Sequence, residues 1–246
     1  MRALTRVVGA VSRRTGRPEL LAAVNATARE SQREEVGIAA VLAASLRTDG
    51  RYVDVGTNRG QVLAHAVRVA PRAEHVAFEP IPALAAEVAR AFPQVECRCK
   101  ALGAKPESAE FCHFRQLDGW SGLRRQPEIS DTRGDPEYIT VEVSTLDAEL
   151  AGTRPAVVKI DVEGAELGVL EGGRALLGAA RPLVIFEHVP SAAALYGADS
   201  GSLWELLDEI GYEVFSITGE GPFTRQAFAS AGAIVNWLAV PRGQSR

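Results

Sequence analysis

From residue 52 onward the chain alternates between two patterns. Short apolar runs recur, and the segments between them place apolar residues at helical spacing. Tyr52-Val53-Asp54-Val55, His75–Phe78, Val95–Cys99, Ala156–Ile160, Leu183–Phe186, Tyr212–Ile217 and Ala233–Val240 read as strands. Gln61–Ala70, Pro82–Phe92, Ala165–Leu177 and Ser202–Ile210 read as helices, the first closed by Pro71 and the second opened by Pro82. Such alternation predicts an α/β fold with a mostly parallel sheet covered on both faces. No long helix precedes the last strand, so it is expected to insert antiparallel at the sheet edge. Ala109–Phe114 and Tyr138–Val143 alternate as half-exposed strands do. The loop between them, 116–137, is too long for a plain connection and is expected to be a lid, with Trp120 as a candidate ligand contact.

Ahead of this alternation, Ser31-x-x-Glu34 has the form of a capping box, predicting a helix from there to about Leu46. Val36, Ile38, Val41, Leu42 and Leu46 form its apolar face, and Asp49-Gly50 stops it. The expected division is a helical N-terminal cap, 1–48, and a ligand-binding domain, 49–246.

Composition narrows the partners. The 246 residues carry a net charge of −4, and no basic surplus draws the chain to nucleic acid or anionic lipid. No apolar stretch reaches membrane-spanning length. Three cysteines without a C-x-x-C pair fit a reducing, cytoplasmic setting, and 24 Arg against 3 Lys suggests a GC-rich bacterial source. Residues 1–18 are Arg-rich and acid-free, but no apolar segment with a cleavage site follows, so no export is expected. Cys97, Cys99, Cys112 and His113 lack structural-zinc spacing, and Cys97 and Cys99 are expected in a buried strand. The expected partner is a small molecule, and homo-oligomerisation is left open.

In an open α/β sheet, ligands sit at the carboxyl ends of the strands. The first strand runs into Asp54-Val55-Gly56-Thr57-Asn58-Arg59-Gly60. Asn58 stands where a dinucleotide fingerprint needs its second glycine, and Asp54 would repel a pyrophosphate but suit an ammonium. S-adenosylmethionine carries an ammonium and a sulfonium and no phosphate. The second strand ends Phe78-Glu79-Pro80, placing an acid where it can hold a ribose diol. The third leads into Lys100-Ala101-Leu102-Gly103, beside which an adenine would lie. Asp54, Gly56, Asn58, Gly60, Glu79, Ala101 and Leu102 are therefore the expected cofactor residues. These strings, together with Thr145-Leu146-Asp147 and Lys159-Ile160-Asp161-Val162-Glu163-Gly164-Ala165-Glu166, resemble the FkbM-type methyltransferases over about residues 50–240. The resemblance implies a Rossmann-like class I fold with a seven-stranded sheet whose last strand is antiparallel. It also implies S-adenosylmethionine-dependent O-methylation of sugars or natural-product hydroxyls.

A hydroxyl acceptor is a poor nucleophile and needs a general base or a metal. Asp161, at the end of the fourth strand, and His188, at the end of the fifth, are the candidate catalytic residues. Asp161 could instead cap the helix that follows, a role that suits Glu163 and Glu166 better. Asp161, Glu187 and His188 are compatible with Mg²⁺, but their spacing does not require it and no metal is assigned. N-methylation, a nicotinamide oxidoreductase and a non-catalytic binding protein are the rival readings. The pair Gly172-Gly173 either ends its helix or allows close packing, and the sequence does not decide between them.

Overall fold

The computed structural model describes residues 18–115, 119, 121–125 and 136–243, with side chains from residue 32. The loop tip holding Trp120 lies outside the described residues, as do residues 1–17 of the expected cap.

Seven strands form the main sheet: β1 (Tyr52–Val55), β2 (Val76–Phe78), β3 (Glu96–Arg98), β7 (Val157–Ile160), β8 (Leu183–Glu187), β9 (Tyr212–Ser216) and β10 (Asn236–Pro241). Their spatial order is β3-β2-β1-β7-β8-β10-β9. All neighbours are parallel except β10, which runs antiparallel between β8 and β9. The edge placement expected for the last strand is thus corrected: β10 fills the gap between two parallel strands. Its central Trp237 and Ala239 are fully buried, which an edge position would not provide. The reversal of order between β1 and β7 is the switch point at which α/β sheets bind ligands.

Residues between β3 and β7 build a second, three-stranded sheet from β4 (Ala101–Leu102), β6 (Glu137–Ser144) and β5 (Glu107–His113). β5 and β6 pair antiparallel over seven residues and bury Phe111, Val141 and Val143 on the face toward Ile81 and Leu84. A bridge between Cys112 and Gly122 folds the start of the long loop back onto β5.

The helices are α1 (Pro18–Ser45), α2 (Gln61–Val69), α3 (Pro82–Ala91), α4 (Leu146–Glu149), α5 (Glu166–Glu171), α6 (Arg174–Ala180), α7 (Pro190–Ala194), α8 (Ser200–Glu209) and α9 (Arg225–Ser230). α1 is longer than its capping-box signal implied. Ser31 lies within it, and Glu34 accepts from Val235 N at 3.2 Å and Asn236 Nδ2 at 2.7 Å instead of capping the helix. Ile38, Leu42 and Leu46, one turn apart, pack into the core under Tyr52, Leu63 and Ile217. Leu42→Ala would cost about 2–5 kcal/mol at that contact. The helix expected over Ala165–Leu177 is two helices, broken at Gly172-Gly173. A β-carbon on Gly172 would lie 2.1 Å from Gly103 O, so both roles considered for the pair apply: the helix ends, and the backbones touch. Strand β3 is also more open than expected, with Glu96 exposed and Cys97 half-buried. Among the described residues no helix is long and apolar enough to cross a membrane.

Candidate active site

The turn after β1 is built from left-handed residues. Gly56, Asn58 and Gly60 have φ of 80°, 50° and 75°, and Gly60 leads directly into α2. Gly56 N and Thr57 N donate to Phe78 O at the end of β2, at 3.0 and 3.1 Å. Across the switch point Asp161 N donates to Val55 O at 3.0 Å. This presses the two strand ends together, and only a glycine fits at residue 56.

Glu79 is buried and ties two turns together. Its Oε2 accepts from Asn58 N and its Oε1 from Ile81 N, each at 2.9 Å. Asp54 is also buried. Thr57 Oγ1 donates to its Oδ2 at 2.9 Å, and the Tyr52 hydroxyl, two residues back on the same face of β1, acts on the carboxyl as a further hydrogen-bond partner. Burial pushes the Asp54 carboxyl up, against the pull of the Lys159 charge.

A cleft of about 690 Å³ opens above these groups. Of the expected cofactor residues, Gly56, Asn58, Glu79, Ala101 and Leu102 line it. Asp54 lines an adjoining cleft of about 490 Å³ that also contains Thr57, Gln61 and Lys159, and shares Gly56, Asn58 and Asp161 with the first. Gly60 lines neither and shapes the turn. Ile81, Phe111 and Leu123 add apolar walls that sequence reasoning missed. Ile81 follows the Glu79-Pro80 signal directly, and the alternation of β5 marks Phe111 as inward-facing, so both had a signal.

Asp161 borders both clefts. Lys159 Nζ lies 2.7 Å from Asp161 Oδ2. Burial alone would raise the Asp161 pKa, but the Lys159 charge and hydrogen bonds from Glu187 and Lys159 hold it below the usual carboxylate range. Burial opposes the Lys159 ammonium, yet Asp161 and Asp54 keep it above an ordinary lysine. Burial, and then the Asp161 charge, push Glu187 up to about 10. Glu163 borders the first cleft in a left-handed conformation. Glu166 shapes that turn: its Oε1 accepts from Val162 N and Gly164 N, both at 3.1 Å, and burial raises its pKa to about 7.

His188 is placed differently. It lies outside the lining of the cleft, buried on the opposite sheet face, with Nε2 2.8 Å from Ser200 Oγ and its ring stacked on Phe228. Among the described residues no group of three or more His, Cys, Asp or Glu side chains is placed to hold a metal ion.

The lining suits S-adenosylmethionine better than a dinucleotide. Among the described residues each cation on the two clefts is paired with a carboxylate: Lys100 with Glu142 and Glu149, Lys159 with Asp161, and Arg59 with Glu87. None of these is left unpaired to meet a pyrophosphate, whereas the buried Asp54 carboxyl suits an ammonium.

Comparison with known proteins agrees with this geometry. The family model "Methyltransferase FkbM domain" matches residues 54–214. The chain belongs to the FkbM methyltransferase family. Among curated proteins it is 28% identical over 207 residues to the AMB antimetabolite synthetase AmbE of Pseudomonas aeruginosa. That match covers 69% of this chain, which spans only 10% of the relative's length. Among solved structures, methyltransferase FkbM from Methylobacillus flagellatus is 16% identical with a TM-score of 0.49, covering 79% of this chain and 44% of that one. The plantazolicin methyltransferase BpumL in complex with SAH is 12% identical with a TM-score of 0.45, covering 89% of each chain. In this FkbM-family chain the strand-end residues from Gly56 to Asp161 fall inside the matched segment.

Proposed function

We propose that this methyltransferase acts on a hydroxyl group of a small metabolite, a sugar or a secondary-metabolite scaffold. The observation that carries this reading is Asp161, a carboxylate held ionised by Lys159 at the border of both clefts. A hydroxyl needs a partner for its proton as it is alkylated, and a fixed carboxylate within hydrogen-bond reach provides one. The match to an antimetabolite synthetase supports a secondary-metabolite acceptor.

Bound S-adenosylmethionine supplies a methyl group on a sulfonium, whose leaving group is a neutral thioether. Glu79 would hold the ribose hydroxyls, Asp54 the ammonium, and Ile81, Ala101 and Leu102 the adenine. Asp161 accepts the acceptor's proton and orients the oxygen. Its low basicity also suits an amine, which needs less help from a base, so N-methylation is the second reading.

The test is turnover of S-adenosylmethionine against paired panels of hydroxylated and amine acceptors, with products assigned by mass spectrometry and NMR. Methyl ethers are expected, with kcat lowered on the order of 100-fold or more in Asp161→Asn. Methylated amines alone, or an Asp161→Asn enzyme of full activity, would refute the proposal.

A further inference from the structure

A line of polar side chains crosses the sheet at the carboxyl ends of its strands. Paired residues on neighbouring strands face the same side, and residues two apart on one strand share that side. Asp54 of β1 pairs with Lys159 of β7, and Asp161 follows Lys159 on the same face. The next pair after Ile160 and Phe186 brings Asp161 beside Glu187 of β8. Glu187 pairs in turn with Asn236 of β10, whose amide donates to Glu34 of α1. The line runs Asp54, Lys159, Asp161, Glu187, Asn236, Glu34, across four strands and onto a helix.

Charge along this line is unevenly matched around Glu187. The groups acting on it are the carboxyls of Asp161, Glu163 and Glu166 and the ammonium of Lys159, which sits on Asp161. Asn236 faces it from β10, but the Asn236 amide already donates to Glu34. One buried cation cannot neutralise two touching carboxylates and Asp54 as well, so one of the carboxyls must retain its proton. Asp161 has the cation and Asp54 has the Thr57 hydroxyl as donor, which leaves Glu187 as the carboxyl that keeps its proton. His188, next in sequence, turns to the opposite face and takes no part.

We propose that Glu187 is the positioning residue for Asp161: its carboxyl hydrogen and the Lys159 ammonium together fix the Asp161 carboxylate, whose remaining lone pairs face the acceptor. This rests on the reading of Asp161 as the acceptor's proton partner. The acceptor O–H bond breaks as its oxygen bonds to the methyl carbon, and the electron pair of the broken carbon–sulfur bond stays on sulfur. The released proton goes to Asp161 and from there to water. Glu187 keeps its own hydrogen throughout, so an amide N–H can replace it.

The experiment pairs Glu187→Gln with Glu187→Ala in the full chain. Glu187→Gln is expected to keep kcat within about threefold of the parent, because its amide still donates to Asp161. Glu187→Ala is expected to lower kcat on the order of tenfold or more at a nearly unchanged KM. It should also move the acidic limb of the pH–rate profile upward, because Asp161 loses a hydrogen bond that holds its pKa down. Carbon-13 NMR titration of side-chain carboxyls supplies a readout independent of turnover. Glu187 is expected to remain protonated at neutral pH, and the Asp161 resonance to titrate higher in Glu187→Ala than in Glu187→Gln. A Glu187 that titrates as an ordinary carboxyl overturns the proposal, as does a Glu187→Gln enzyme as impaired as Glu187→Ala. If no hydroxylated acceptor is turned over, the NMR titrations still decide the role of Glu187, and only the acceptor assignment falls.

Discussion

A β-carbon on Gly56 would stand 1.8 Å from the carbonyl oxygen of Asp161. The two residues end adjacent strands, β1 and β7, and their backbones meet at the switch point where both clefts begin. Gly56→Ala therefore meets a steric barrier and an unfavourable left-handed backbone together. The backbone conformation alone costs about 1–3 kcal/mol. Separating the strand ends would also widen the cofactor cleft. Denaturant unfolding is expected to show a loss of at least that size. Calorimetry should show S-adenosylmethionine binding weakened well beyond tenfold.

Glu79→Ala removes the acceptor of two backbone N–H groups as well as the proposed ribose contact. Unfolding experiments should show a loss of about 1–3 kcal/mol for the orphaned donors. Cofactor affinity should fall well over tenfold, and NADH should not bind in its place. A Glu79→Ala protein with unchanged affinity would remove the assigned ribose contact.

Glu166 makes stability depend on pH with a definite sign. Its pKa rises on folding from an ordinary 4.5 to about 7, so the folded state holds the proton more tightly. The resulting stabilisation is complete below the unfolded pKa and is lost as pH rises toward about 7. The total is on the order of 3 kcal/mol. Glu166→Gln retains a carbonyl acceptor for Val162 N and Gly164 N. Its unfolding free energy should be flatter than that of the parent over this interval, as read from urea melts at stepped pH.

His188 provides a contrast within the same strand end. Burial lowers its pKa, so the folded state prefers the neutral ring. Its contribution to stability is present above the ordinary histidine range and is lost as pH falls through that range toward the folded value. His188→Asn should lower the melting temperature and blunt this acid sensitivity while leaving kcat near that of the parent. A collapse of kcat with an unchanged melting temperature would return His188 to the chemistry.

Sequence periodicity located the central strands well because Tyr52–Val55 and Val157–Ile160 are buried along their whole length. It misplaced β10, because periodicity reports which residues are buried and not which neighbours bury them. The start of α1 was misread because Ser31 and Glu34 have capping spacing, and nothing local shows that Glu34 binds Val235 and Asn236 some two hundred residues away. At the site, Gly56 and Glu79 were legible from their places after strands. Asp161, Glu187 and His188 were grouped from their places at strand ends, but that Glu187 faces Asp161 while His188 turns away depends on the register of β7 against β8.

The central pairing has a kinetic side. Tyr52 of β1 lies against Val157 of β7, a separation of 157 − 52 = 105 residues. Closing a loop of that length is entropically costly and slow compared with forming a helix or the β5–β6 hairpin. Since Gly56 and Asp161 meet only when that pairing is made, a partly folded chain that has its helices and its hairpin still has no cofactor cleft. Retention on an immobilised S-adenosylmethionine analogue would therefore select chains whose long-range closure is complete.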